Sequence, residues 1–209
     1  MQKLIELAEK IQDKELRKQV IEFIKNPTLS HKDFKKYPKE KLEKVKTPFS
    51  VGNMGTAVRE VVNHTAALTE ICISTADVIK KYHGLEVNKD YLIAGALLHD
   101  IAKVFEWKNT DEGPEHTGIP LDHSILGVAE LYHRGFPEEV IHIVASHFGE
   151  SGPTPPRNFE ALVVHYIDTM LSLAEFQINR GKSKQQIPML VLDEDFLKKL
   201  GEKTEKEEK

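Results

Sequence analysis

The chain has 209 residues, with 29 Lys and Arg against 33 Asp and Glu, and therefore a formal net charge of −4. This length favours a single domain with a small appendage, and it suffices to bury a hydrophobic core without disulfides. A single cysteine excludes a disulfide framework and any zinc or iron–sulfur site built from cysteines. Ten histidines leave open a site built from imidazole and carboxylate.

The charge and the apolar runs also restrict the partners of the chain. A pI near 6.2 lacks the electrostatic footprint of a non-specific nucleic-acid binder. The best apolar run, residues 91–98, is far shorter than the ~20 residues that a membrane span needs. The N-terminus carries charges within any apolar stretch and therefore predicts no secretory signal. We expect a soluble, cytoplasmic protein, and the sequence makes no prediction of its oligomeric state.

Hydrophobic residues recur at helical spacing along most of the chain, and no convincing alternating pattern typical of strands is present. We predict helices over residues 4–11, 16–24, 56–82, 89–102, 122–133, 137–147 and 159–179. Residues 28–55 are predicted to form a long connection with one short helix near residues 32–36, and residues 104–121 a polar loop.

Capping residues support these boundaries. Asp13 and Asn88 are expected to cap the starts of two helices, and Gly84 to follow the end of the long helix. The helix after Asn88 is nearly all apolar, so we expect it in the middle of the fold.

The predicted fold class is therefore all-α. We expect an N-terminal helical extension over residues 1–50 that packs on the core, a core domain over residues 51–181, and a C-terminal segment over residues 182–209. Within that segment, residues 187–192 suggest a short strand or extended stretch and residues 194–200 a last helical turn, followed by a disordered charged tail.

One pair of polar residues stands out. His99 and Asp100 follow the most apolar stretch of the chain, and polar groups at the end of a buried helix need partners, because an unpaired buried charge costs several kcal/mol. Adjacent helical side chains point ~100° apart, so both reach one ion only near the helix end. The candidate partners on neighbouring helices are His64, His123, His147 and Asp168.

The ordered pattern H…HD…H…H…D that these six residues form resembles the HD-domain metal-dependent phosphohydrolase superfamily. The stretch HDIAK at residues 99–103 belongs to the same pattern. Residues 145–170, ASHFGESGPTPPRNFEALVVHYIDTM, are similar to a region of HD exoribonucleases and archaeal HD phosphodiesterases, and residues 11–27 are similar to the segment before their core.

The chain departs from that pattern at three places. Relatives often carry a His-His pair where this chain has His147 and Phe148, and HDIGK where it has HDIAK. Many carry a Gly-Gly-Leu-x-Glu-His run where residues 59–64 read REVVNH. We expect no nucleic-acid-binding module in the residues ahead of the core, which weakens an exoribonuclease interpretation.

The resemblance implies an HD-domain helical bundle with a metal site between its core helices. Its first site matches His64, His99, Asp100 and Asp168, and a second would share Asp100 with His123 and His147. One or two divalent transition-metal ions suit this donor set: Mn, Fe, Co, Ni or Zn, and Mg less well. Such ions activate a water that attacks phosphorus in line.

Other residues are candidates for catalysis and substrate binding. Beside Asp100, Lys103 is a candidate to contact a phosphate oxygen, the alternative being a solvated lysine at a helix end. Glu150 and Arg157, in the loop after His147, are candidates for substrate contacts, the alternative being a proline-stiffened surface loop. His116 and His165 are weaker candidates, the latter as a residue that supports a ligand.

The predicted function is a metal-dependent phosphohydrolase acting on a nucleotide or another small phosphate ester, with a phosphodiesterase favoured by the resemblance of residues 145–170. Two alternatives stay open: a phosphomonoesterase (nucleotidase) of the same fold, and a non-catalytic HD protein that senses a nucleotide or phosphate. A helical scaffold with scattered histidines would require the order of the motif to be chance.

Overall fold

The computed structural model describes residues 1–52 and 55–180, so the predictions for the C-terminal segment fall outside the described residues. The helices are α1 (Gln2–Ala8), α2 (Lys14–Lys25), α3 (Val61–His83), α4 (Lys89–Leu98), α5 (Lys103–Glu106), α6 (His123–His133), α7 (Glu138–Ser146) and α8 (Phe159–Arg180). Short 3-10 turns lie at Lys32–Phe34 and Gly149–Ser151. The predicted all-α class is confirmed, because the helices carry the core and the strands of the described residues form only two hairpins.

Local capping chemistry sets the ends of several helices. The Asp13 side chain accepts hydrogen bonds from two backbone N–H groups at the start of α2, and Asn88 does the same for α4. Gly84 ends α3 with a φ of 68°, a left-handed conformation that glycine adopts without strain. These three predicted caps are confirmed.

The strands correct the predicted boundaries. β1 (Lys46–Ser50) and β2 (Thr56–Glu60) pair in an antiparallel hairpin with Lys46 opposite Glu60. The predicted helix over residues 56–82 therefore starts at Val61, since the backbone groups of β2 bond across the hairpin instead of along a helix. The predicted polar loop over residues 104–121 contains α5 and a second hairpin, β3 (Trp107–Thr110) with β4 (Gly113–His116).

α4 lies at the centre of the core, as its apolar sequence predicts. Residues 92–98 are all buried, and α4 packs against α1, α2, α3 and α7. Gly95 permits the close approach to α7, because a Cβ there would lie 2.5 Å from Ile143 Cγ2. The turn after this buried helix, which carries Asp100, is thereby held in the middle of the protein.

The N-terminal helices cover one side of this core: α1 packs on α3 and α4, and α2 packs on α4. The boundaries at residues 50 and 181 stay predictions. Within the part of the chain that the structure describes, no helix has the length and apolar character to cross a membrane.

Candidate metal centre

Asp100 is the centre of a cluster of histidines between the helix ends. It lies in the turn after α4, and its side chain is 1% exposed. Its Oδ1 lies 3.2 Å from His123 Nε2 and 4.0 Å from His147 Nε2. Its Oδ2 lies 3.4 Å from His99 Nε2 and 2.8 Å from Lys103 Nζ. One carboxylate therefore faces three imidazoles and an ammonium group.

The second carboxylate of the cluster is Asp168, on α8. Its Oδ1 lies 3.0 Å from Nε2 of His64, which belongs to the first turns of α3. The ring centroids of His64 and His99 are 5.5 Å apart, and those of His99 and His147 are 5.3 Å apart. The structure thus brings together all six side chains that the sequence pattern singles out.

Each imidazole is oriented by a hydrogen bond from its Nδ1. His99 Nδ1 donates to the Ala96 carbonyl at 2.8 Å, and His147 Nδ1 donates to the Val144 carbonyl at 2.7 Å. Both acceptors lie one turn back on the helix that ends at the histidine. The Nδ1–H tautomer leaves the Nε2 lone pair of each ring directed into the cluster.

Two carboxylates orient the other pair of rings. His64 Nδ1 donates to Glu175 Oε2 at 3.1 Å, and His123 Nδ1 donates to Glu106 Oε2 at 2.6 Å. A carboxylate behind an imidazole fixes the tautomer and raises the basicity of Nε2, the arrangement that accompanies histidine ligands of metals.

The four Nε2 atoms fit a metal site. Those of His64, His99, His123 and His147 are all buried without a hydrogen-bond partner among the described residues. Buried polar atoms are otherwise nearly always paired. The donors form two groups whose atoms lie within 4.8 Å of one another, His64 with His99 and Asp100, and Asp100 with His123 and His147. Borderline transition-metal ions suit these nitrogen and oxygen donors.

The cluster favours ionised carboxylates. Burial opposes the charge of Asp100, but Lys103, His99 and the neighbouring His123 hold its pKa well below the ordinary value. Burial likewise opposes the charge of Asp168, but His64 and His99 hold its pKa below the ordinary value. Both side chains are therefore anions that can ligate a cation.

The histidines respond to burial in two ways. Burial and the neighbouring His99 and His123 lower the pKa of His147 to about 3, so its Nε2 lone pair is available at any ordinary pH. Burial opposes protonation of His64, but its contacts with Asp168 and Glu175 raise its pKa. In His64 the position between two carboxylates thus attracts a positive charge, which a proton or a metal ion can supply.

The residues predicted to contact substrate are placed less centrally. Lys103 is buried against Asp100. The Glu150 side chain is 80% exposed and lies 3.6 Å from His165 Nε2. Arg157 is exposed, and its backbone N–H donates to His142 Nε2 at 2.9 Å. Their roles in substrate binding stay predictions.

The two weaker histidine candidates behave differently. His165 Nδ1 donates to the carbonyl of His147 at 2.8 Å, so it supports the loop that begins at that ring. His116 lies in β4, with its ring 5.4 Å from that of Trp107, and its Nδ1 accepts from the backbone N–H of Gly118. His116 helps to lower the pKa of Glu106, but among the described residues it forms no hydrogen bond or ion pair with the cluster.

Three charged residues at the cluster were missed by the sequence pattern: Arg59, Glu106 and Glu175. Glu175 lies seven residues after Asp168, two helical turns along the same face of α8, and this spacing is a signal that would have found it. Glu106 belongs to the predicted loop, and Arg59 to the predicted helix that proves to be β2. Their positions depend on pairings that are distant in sequence.

Comparison with known proteins agrees with this geometry. The family model described as HD domain matches residues 61–173. The chain is 45% identical over 177 residues to dihydroneopterin 2',3'-cyclic phosphate phosphodiesterase of Methanocaldococcus jannaschii, covering 80% of this chain and 67% of that protein. It is 31% identical over 152 residues to 3'-5' exoribonuclease YhaM of Bacillus licheniformis, covering 65% of this chain and 45% of that protein. No solved structure matches the chain.

Proposed function

The chain belongs to the HD domain family, and on that premise we propose that it is a metal-dependent phosphodiesterase that opens a small phosphodiester with a metal-activated water. The family and the phosphohydrolase class predicted from the sequence are both confirmed by the comparisons. The observation that carries the proposal is the convergence on two ionised carboxylates of four Nε2 atoms that have no hydrogen-bond partner in the described part of the chain.

We assign His64, His99, Asp100 and Asp168 to a first ion, and Asp100, His123 and His147 to a second. The grouping of donor atoms around Asp100 supports this assignment. Bound there, Mn, Fe, Co, Ni or Zn would neutralise phosphoryl oxygens and lower the pKa of a bound water. Mg fits less well, because it prefers oxygen ligands in octahedral geometry.

The residues of the chain position the reaction around that centre. Asp100 lies between the imidazoles of both groups, and Glu106 and Glu175 fix the orientation of two of them. Lys103 places an ammonium group 2.8 Å from Asp100 Oδ2, where it would add positive charge beside a transferred phosphoryl group.

The proposed substrate is a small cyclic phosphodiester that carries a planar ring. The relative at 45% identity is named for a pterin cyclic phosphate, whereas the relative named for RNA covers less of this chain. Phe148 supports the ring preference, because its half-exposed ring packs 4.2 Å from that of His147 and offers an aromatic face beside the centre. A cytoplasmic location stays a prediction.

A substrate screen across metals tests the proposal. Protein dialysed without chelator is analysed for bound metal and then assayed with bis-p-nitrophenyl phosphate, 2',3'-cyclic nucleotides, p-nitrophenyl phosphate and a short RNA, with Mn²⁺, Co²⁺, Ni²⁺, Zn²⁺ or Mg²⁺ added. We expect bound transition metal and hydrolysis of the small diesters. In the same screen Asp100→Ala should hydrolyse no substrate, whereas its matched control Asp111→Ala, at an exposed aspartate in the turn of the second hairpin, should behave as the parent.

Three outcomes would overturn the proposal. If the dialysed protein retains no transition metal and binds none when it is added, the chain has no metal centre of this kind. Hydrolysis of the monoester alone would favour the phosphomonoesterase alternative. Metal binding without hydrolysis of any substrate would favour the sensor alternative.

A further inference from the structure

Arg59 is a buried arginine at the edge of the candidate metal centre. It lies in β2, and its side chain is only 7% exposed. The guanidinium carbon lies 4.8 Å from the centroid of the Phe49 ring on the paired strand β1. The hairpin therefore carries this charge into the protein and packs one face of it against an aromatic ring.

One edge of the guanidinium is fixed by α8. Nη1 donates to Ser172 Oγ at 2.8 Å and to Glu175 Oε2 at 3.3 Å. Glu175 also accepts from His64 Nδ1, so the same carboxylate connects Arg59 to an imidazole of the centre. These bonds set the orientation of the planar group.

The other edge is incompletely used. Nη2 donates a hydrogen bond to Asp100 Oδ2 that is long for a charge-assisted bond, at 3.4 Å, and it lies 3.9 Å from Asp168 Oδ1. Nε is buried and has no hydrogen-bond partner among the described residues. Leaving a buried donor unpaired is costly, which indicates that another group pairs with this edge.

The geometry of a guanidinium indicates which kind of chemical group pairs with this edge. The Nε–H and an N–H of the neighbouring terminal nitrogen point the same way and bind two oxygens of a carboxylate or a phosphate in parallel. Here that edge adjoins the carboxylates that would hold the ions, which is the place where a phosphoryl group would be bound.

We infer that Arg59 binds the phosphoryl group of the substrate through its Nε and Nη2 edge, beside the metal centre. The inference rests on the proposed function for the identity of the oxyanion. Arg59 would then fix the phosphorus relative to the attacking water and neutralise charge on a non-bridging oxygen. The alternative is a structural counter-ion for Asp100 and Asp168, which would matter for stability and metal content alone.

Binding of inorganic phosphate without turnover separates these roles. The metal-loaded parent, Arg59→Lys and Arg59→Gln are titrated with phosphate by calorimetry, after the metal content and thermal stability of each have been measured. Lysine keeps the charge but lacks the paired N–H groups, and glutamine keeps an N–H donor without charge. We expect at least a tenfold loss of phosphate affinity in both variants, and a KM for bis-p-nitrophenyl phosphate raised by a similar factor.

Arg134→Lys is the matched control. Arg134 also lies over an aromatic ring, 4.5 Å from Phe23, and also pairs with a buried carboxylate, Glu130 at 2.7 Å. It contacts none of the residues of the centre, so its substitution should leave phosphate affinity and KM unchanged.

The outcomes are distinguishable from a failure of the proposed function. A folded Arg59 variant that binds phosphate as tightly as the parent overturns the inference, and so does a loss of metal that accounts for the whole effect. If the parent hydrolyses no phosphodiester but binds phosphate in a manner that depends on Arg59, the inference holds and the proposed activity fails. If one of the two Arg59 variants does not fold, the other one alone tests the inference.

Discussion

Glu106 and Glu175, the two carboxylates that accept from imidazole Nδ1 atoms, allow the affinity for each ion to be lowered separately. Glu106 supports His123, and Glu175 supports His64, so each belongs to a different proposed group of ligands. Glu106→Gln and Glu175→Gln keep the shape and an acceptor oxygen but remove the negative charge. Each should therefore weaken one ion and spare the other.

The structure also ranks the two effects. Losing a partner behind a histidine ligand costs 10- to 100-fold in metal affinity, about 1.4 to 2.8 kcal/mol. The bond from His123 to Glu106 is short, at 2.6 Å, and the carboxylate is 11% exposed. The bond from His64 to Glu175 is 3.1 Å, and that carboxylate is 18% exposed and shared with Arg59. We expect a loss near 100-fold for Glu106→Gln and near tenfold for Glu175→Gln.

The assay is a titration of chelator-treated protein with Mn²⁺ by calorimetry, with elemental analysis of the dialysed protein as a count of bound ions. His147→Ala assigns the binding steps, because it removes a ligand of the second proposed ion alone. In the Glu106→Gln variant the step that His147→Ala abolishes should be the weakened one. Unchanged affinities in both variants, or weakening of the other step by Glu106→Gln, would refute the reasoning.

Three further predictions address the centre, the loop beside it and the core. Asp100→Ala should abolish hydrolysis and lower the affinity for both ions while the far-UV circular dichroism is retained; activity near that of the parent would place the reaction elsewhere. Gly149 has a φ of 58°, and a Cβ there would lie 2.2 Å from His165 Cε1, whereas at Gly84, with a φ of 68°, nothing lies within 4 Å. Chemical denaturation should therefore show a loss of about 1 kcal/mol for Gly84→Ala, from backbone strain alone, and of about 3 kcal/mol for Gly149→Ala, and equal losses would contradict the predicted clash. Burial raises the pKa of Cys72 from 9.0 to about 12. Iodoacetamide at pH 8 should thus label Cys72 only in the unfolded chain, and the folded state should lose stability as the pH rises from about 9 towards 12, because the unfolded thiol ionises first; rapid labelling of the native protein would show that the thiol is accessible.

Much of the ligand pattern could be predicted from the sequence because five of its six residues lie at or near helix ends with clear local signals, whereas Asp168 lies within α8. His99 follows an unbroken apolar helix, and Asn88 and Gly84 mark where that helix and its predecessor begin and end. Such signals act within a few residues, so they survive without knowledge of the tertiary fold. The order of the six candidates resembles the HD-domain pattern, and this resemblance implied that they meet between neighbouring helices.

The hairpins could not be predicted in the same way, and Arg59, which lies in β2, was missed with them. Residues 56–60 continue the helical pattern of α3, and only pairing with residues 46–50 makes them a strand. As part of a helix, Arg59 has no predicted relation to His64; as part of β2, it faces Asp100. Strand pairing depends on a partner distant in sequence, which periodicity does not detect.

The wide spacing of the proposed ligands links metal supply to the lifetime of the protein. His64 and Asp168 lie more than one hundred residues apart, and the side chains between them converge only after α3, α4, α6, α7 and α8 have packed. The unfolded chain therefore offers the ions no comparable site, and each bound ion shifts the folding equilibrium, by about 2.7 kcal/mol when free metal is one hundredfold above its Kd. A cell short of the metal would accumulate unfolded chains that proteases remove, so the quantity of this protein and its activity would decline together.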